Sequence, residues 1–94
     1  MPSVMNRTEP EVTVLGKPGC HLCEAVEEEL RSLDGIASRL TVVNIDINRG
    51  LYDRYQLRIP IVTLDGKVVF EASMMDPEGK WKVKLRQLLV LHTS

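Results

Sequence analysis

The hydrophobic pattern changes period at one place, Gly16-Lys17-Pro18-Gly19, and this break limits the folds open to the chain more than any other feature. Before it, Glu11 to Leu15 reads EVTVL, with the β-branched, roughly alternating character of a strand. Two glycines and a proline then end the strand. After the break, Cys23, Val26, Leu30 and Leu33 recur at three- and four-residue steps, with Glu24, Glu27, Glu28 and Arg31 on the other side. That spacing predicts an amphipathic helix, stopped at Asp34-Gly35. Leu40 to Ile47, LTVVNIDI, reads as a second strand, apolar enough to be covered on both faces as in a parallel sheet. A right-handed crossover would set the two strands parallel with the helix on one face.

Asn48 is the expected N-cap of a short helix whose buried side carries Leu51, Tyr52, Tyr55 and Leu57. RIPIVTL, Arg58 to Leu64, is strand-like, and Asp65-Gly66 is a hairpin signal leading into KVVFE, so these two strands are expected as antiparallel neighbours. Asp76-Pro77 predicts the cap and first residue of a closing helix, Asp76 to His92, with Trp81, Leu85, Leu88 and His92 on one face. The summed order is β-α-β, a short helix, then β-β-α. Residues 1–10 are polar and unpatterned and are expected as a flexible N-terminal tail. Residues 11–94 then form the domain, because 94 residues with 44 % hydrophobic content sustain one core and not two.

Charge narrows the function classes. With 12 Lys plus Arg against 13 Asp plus Glu, the chain has no basic field to hold phosphate backbones, so nucleic acid is not an expected partner. No run of about 18 apolar residues offers a membrane span, and residues 1–10 lack the apolar stretch of a secretory signal. The cytoplasm is the expected compartment. Two cysteines in a reducing compartment are more often catalytic, metal-binding or buried than structural disulfides.

Cys20 and Cys23 stand one helical turn apart, just after the Pro-Gly turn. Their Cβ atoms would lie roughly 5 to 6 Å apart on an ideal helix, and a disulfide needs about 3.5 to 4.5 Å, so a small adjustment opens or closes the bond. The helix N-terminus adds backbone N–H donors and a partial positive charge, which stabilise a Cys20 thiolate. Lowering a thiol pKa from about 8.5 to about 6 raises the thiolate fraction at pH 7 roughly thirtyfold, but weakens each thiolate roughly thirteenfold. The larger effect is on leaving ability, which favours the reduced pair. Position therefore assigns Cys20 as the exposed attacking sulfur and Cys23, on the apolar stripe, as the sulfur that resolves the mixed disulfide. His21 and Lys17 are cations within reach of a thiolate or an anionic substrate, although both are also ordinary surface residues. Two inert buried thiols would leave the Pro-Gly approach without a purpose. A metal is the stronger rival: the pair could supply two zinc or iron–sulfur ligands, but the chain has no second CxxC and His92 is the only other histidine. A site shared between two subunits stays open.

With KPGCHLC between the first strand and first helix, and an Ile-Pro pair opening the third strand, the chain resembles the thioredoxin-fold proteins, most closely the small glutaredoxin-like proteins whose site reads GKPGCHLC. The resemblance spans Glu11 to about Leu91 and implies an α/β thioredoxin-like fold, a four-stranded mixed sheet flanked by helices. It implies that the Ile59–Pro60 peptide is cis and faces Cys20, with the Ile59 backbone pairing with a substrate beside its disulfide. The chain departs from typical glutaredoxins in three places: His21-Leu22 between the cysteines, Arg58 before Ile59-Pro60, and Glu71-Ala72-Ser73 where a Gly-Gly turn holds glutathione. The third departure weakens the expectation of glutathione binding, which Arg58 would offset by meeting a carboxylate.

The leading expectation is thus a cytoplasmic thiol–disulfide oxidoreductase acting through Cys20 and Cys23, with Lys17, Arg58, Ile59 and Pro60 at the substrate. No bound cofactor is expected. Glutathione or a thioredoxin-reductase-type protein is the candidate reductant, a disulfide-bearing protein or small thiol the candidate substrate, and a monomer the expected state. The alternatives are a binding or redox-sensing module without turnover, in which Leu22, Ile59 and Pro60 form an interface, and a metal or iron–sulfur carrier sharing the CxxC between subunits.

Overall fold

In the computed structural model, which describes residues 10–93, seven main elements follow in the order β1 Val12–Gly16, α1 His21–Arg31, β2 Leu40–Asn44, α2 Arg49–Tyr55, β3 Ile61–Leu64, β4 Lys67–Glu71 and α3 Trp81–Thr93. The strands form one sheet in the order β2-β1-β3-β4. β1 and β2 run parallel, while β1/β3 and β3/β4 are antiparallel. This is the thioredoxin-like α/β arrangement that the order of elements and the resemblance implied.

Strand alternation divides the core between the two faces of the sheet. Val12 and Val14 of β1 and Val62 and Leu64 of β3 share a cluster with Val26 and Leu30 of α1 and Trp81, Leu85 and Leu89 of α3. Phe70 completes it, its ring centroid 6.0 Å from that of Trp81. Leu15 and Ile61 join the second cluster with Ile45, Ile59 and Cys23, roofed by Leu51, Tyr52 and Tyr55 of α2. α1 therefore serves both clusters, through Cys23 in its first turn and through Val26 and Leu30 further on.

The hairpin is as expected: Asp65 and Gly66 both take positive φ, 50° and 84°, as a two-residue loop between paired strands requires. Asn48 caps α2, its side chain accepting from the Leu51 N–H at 3.0 Å.

Several boundaries differ from the sequence reading. β2 ends at Asn44, whose side-chain oxygen accepts from the Asp46 N–H at 2.8 Å and turns Ile45–Ile47 into a 3₁₀ turn. Nor is β2 covered on both faces: it is an edge strand of the sheet, and Thr41 and Val42 are exposed. Leu57 is not on the buried side of α2 but beyond its end, 92 % exposed. α1 stops at Arg31, with the Ser32 hydroxyl donating to the Glu29 carbonyl, ahead of Asp34-Gly35.

α3 starts at Trp81, five residues after Asp76, because the chain first turns through Gly79 at φ +84°. Asp76 still gathers the amides of this approach, accepting from the N–H groups of Glu78, Lys80 and Trp81 at 3.1, 2.9 and 2.7 Å. The core face of α3 is Trp81, Leu85 and Leu89, with Leu88 only half-buried. The His92 side chain lies outside the described residues, as does the expected tail except for Pro10. Pro10 is buried, and its carbonyl accepts from Arg39 Nη1 at 3.2 Å. Among the described residues no helix is long and apolar enough to cross a membrane.

Candidate active site

The site grows from the end of β1. A turn over Lys17-Pro18-Gly19-Cys20 is closed by the Cys20 N–H donating to the Lys17 carbonyl at 3.3 Å, with Gly19 at φ +81°. Proline second and a positive-φ glycine third suit a type II turn. The turn delivers Cys20 in extended conformation to the N-cap of α1, where its sulfur accepts a hydrogen bond from the Cys23 N–H at 3.1 Å. A cysteine thus stands where a serine or aspartate usually caps, using its sulfur as the acceptor.

Cys20 and Cys23 are joined by a disulfide, with Cα atoms 5.2 Å apart. The burial of the two sulfurs' residues is unequal: Cys20 is half-buried, whereas Cys23 is 1 % exposed and packs with Ile45, Ile59 and Ile61. Leu22, between them, is 52 % exposed. An accessible outer cysteine and an enclosed inner one can divide attack from resolution, and the helix N-terminus favours the outer one as thiolate when the bond opens.

Gly16 makes the inner position available. A Cβ on this buried residue would stand 3.0 Å from Cys23 Cβ and 3.1 Å from Cys23 Sγ. Its backbone does not lie in the left-handed region, so the space for Cys23, and not the dihedral angle, calls for glycine there. In the sequence Gly16 is only part of the strand break; nothing in the string distinguishes a glycine that ends a strand from one that a sulfur packs against.

The Ile59–Pro60 peptide is cis, as the resemblance implied, and both residues are buried. Ile59 belongs to the cluster against which Cys20 also packs, and its N–H donates to the Tyr55 carbonyl at 3.1 Å. The register sets Gly16 opposite Asn44 and Leu15 opposite Ile61, so the turn before Cys20 and the Ile59-Pro60 segment share one end of the sheet. Lys17 at that end is exposed, with Nζ 5.9 Å from the Tyr52 ring centroid, linking the turn to α2. His21 is 96 % exposed, with Nδ1 3.9 Å from Glu24 Oε1.

Arg58 is engaged from within the chain. Its Nε donates to Glu71 Oε1 at 3.0 Å and its Nη2 to Oε2 at 3.4 Å, and the guanidinium lies 5.5 Å from the Tyr55 ring centroid. The hydrogen bond to Glu71 and then its negative charge raise the Arg58 pKa above its already high ordinary value. Glu71-Ala72-Ser73 occupies the end of β4 and the start of a 3₁₀ turn over Ala72–Met74, whose Ala72 N–H donates to the Arg58 carbonyl at 3.3 Å. The sequence sets Arg58 against the Glu71-Ala72-Ser73 departure as a partner for a glutathione carboxylate; in the fold the carboxylate it meets is that of Glu71, brought near by the ladder pairing of Glu71 with Ile61. Among the described residues no group of three or more His, Cys, Asp or Glu forms a metal cluster.

The family model described as Glutaredoxin-like domain (DUF836) matches residues 11–90. Among solved structures, the chain is similar to a mutant thioredoxin from Halobacterium salinarum NRC-1, with a TM-score of 0.58 and 20 % identity over 98 % of this chain and 81 % of that one. That likeness concerns the fold. No curated protein matches the sequence.

Proposed function

Since the chain belongs to the glutaredoxin-like domain (DUF836) family, we propose that it is a thiol–disulfide oxidoreductase whose working pair is Cys20 and Cys23. One observation carries the reading: the half-buried Cys20 caps α1 and is bonded to the enclosed Cys23 one turn on. In the reduced protein, the Cys20 thiolate attacks one sulfur of a substrate disulfide. The substrate S–S bond breaks, and its second sulfur leaves as a thiolate that takes up a proton. Cys23, losing its proton to solvent, then attacks Cys20 Sγ, expelling the remaining substrate thiolate and closing the disulfide. Two electrons pass to the substrate, and a thiol reductant must return them.

The reductant in this reading is glutathione or a thioredoxin-reductase-type protein, both of which a reducing compartment such as the cytoplasm supplies. In this reading Ile59 and Pro60, whose side chains are buried, act through the backbone beside which the substrate chain lies, while Lys17 and Arg58 set the charge beside it. The test uses two variants. Cys20→Ser abolishes exchange, and Cys23→Ser performs the first attack but accumulates the mixed disulfide on Cys20, read by intact mass without reductant. Full reductase activity in both variants would exclude this mechanism.

A further inference from the structure

The Arg58–Glu71 pair flanks a segment that the dithiol reading places against the substrate. Arg58 directly precedes the cis Ile59–Pro60 peptide, and Glu71 is the ladder partner of Ile61 directly after it. Both nitrogens of the guanidinium that face Glu71 are occupied, at 3.0 and 3.4 Å. Two further contacts hold the arrangement: the Ala72 N–H on the Arg58 carbonyl, and the Tyr55 ring beside the guanidinium. Exposed apolar side chains stand next to both parts of the site in the chain, Leu22 between the cysteines at 52 % exposure and Leu57 directly before Arg58 at 92 %.

We infer that Glu71 is a specificity-determining residue: by holding Arg58 it withholds that cation from small thiols that carry carboxylates, and so biases exchange toward disulfides in polypeptide segments with apolar flanks. The inference rests on the exchange reading of Cys20 and Cys23. A carboxylate approaching the Nε–Nη2 edge of Arg58 must displace the Glu71 carboxylate, and one approaching the remaining Nη1–Nη2 edge meets a cation whose charge Glu71 already offsets and a negative charge beside it. A polypeptide disulfide with apolar neighbours needs no cation there and finds exposed apolar side chains in Leu22 and Leu57. The chemical step is the same for both substrates, so the selection acts on docking.

The test compares two mixed disulfides of one cysteine peptide, one with glutathione, which is net negative, and one with neutral 2-mercaptoethanol. Rates of reduction by the reduced full chain are measured for wild type, Glu71→Ala, Glu71→Gln and the double variant Glu71→Ala with Arg58→Ala. Removing Glu71 is expected to raise the ratio of glutathione-probe to neutral-probe rates about two- to fivefold, the scale of an exposed ion pair. Glu71→Gln, which keeps a hydrogen bond but not the charge, falls between. The double variant loses the gain, and so does Glu71→Ala in about 1 M salt. An unchanged ratio in Glu71→Ala while both probes are still reduced overturns the inference and leaves the exchange reading standing; an equal gain in the double variant overturns it too. If wild type reduces neither probe, the exchange reading itself fails and the inference falls with it.

Discussion

Gly16 stands where the absence of a side chain leaves Cys23 its place, and the nearest atoms to an added Cβ are those of Cys23 itself, at 3.0 and 3.1 Å. Because its backbone suits any residue, Gly16→Ala isolates the packing effect. Overpacking a tight site costs about 1 to 3 kcal/mol, and the stiffer unfolded chain returns about 0.4 to 1 kcal/mol. A net loss of about 0.5 to 2 kcal/mol is expected in urea unfolding of the disulfide form, together with a shifted redox midpoint, since the crowding falls on a sulfur of the pair. Gly19→Ala differs in kind. There φ is +81° and no atom lies within 4 Å of the added Cβ, so its cost is backbone strain of about 1 kcal/mol. The two glycines look alike in the sequence and separate only when φ and neighbours are known.

At the scale of elements, what was legible in the sequence was what period and turn chemistry encode. The switch at Gly16 to Gly19, the Asp65-Gly66 hairpin and the Asn48 cap each correspond to a local backbone demand, and each stands where expected. Ends decided by competition between neighbours were less legible. Asn44 truncates β2 by bonding to the Asp46 amide, and Gly79 delays α3 although Asp76-Pro77 reads as a start. Asp76 nonetheless anchors that approach, and its carboxylate is held below its ordinary pKa of 3.8, first by the Lys80 N–H and also by those of Trp81 and Glu78. A depressed folded value means that the stabilisation is complete above the ordinary pKa and is lost as pH falls through the folded one. Asp76→Ala should therefore lower the thermal midpoint at pH 7 and flatten its decline below about pH 4. An acid limb as steep as that of wild type would show that Asp76 does not contribute to it.

For the whole molecule, α1 links the two clusters, with Val26 and Leu30 in the α3-side core and Cys23 in the α2-side core. Phe70, fully buried between sheet and α3, belongs to the first cluster only. Phe70→Ala should cost about 3 to 5 kcal/mol, much of the margin of a small domain, and equilibrium unfolding would measure it. The candidate site was legible to a similar extent as the fold: the cysteines, their helix start and Ile59-Pro60 are local strings, whereas the Arg58–Glu71 pair needs the folded sheet and the Gly16–Cys23 contact needs the path of the turn between β1 and α1.

If Cys20 and Cys23 form a reversible dithiol couple, a redox equilibrium will register it. The protein is incubated in graded glutathione buffers, its thiols are trapped by alkylation, and each species is read by intact mass. A reversible gain and loss of two thiols together is expected, with a midpoint between about −180 and −280 mV, the range of exchange proteins. A pair that stays reduced across the whole series, or that never takes up electrons from it, would rule out such a couple.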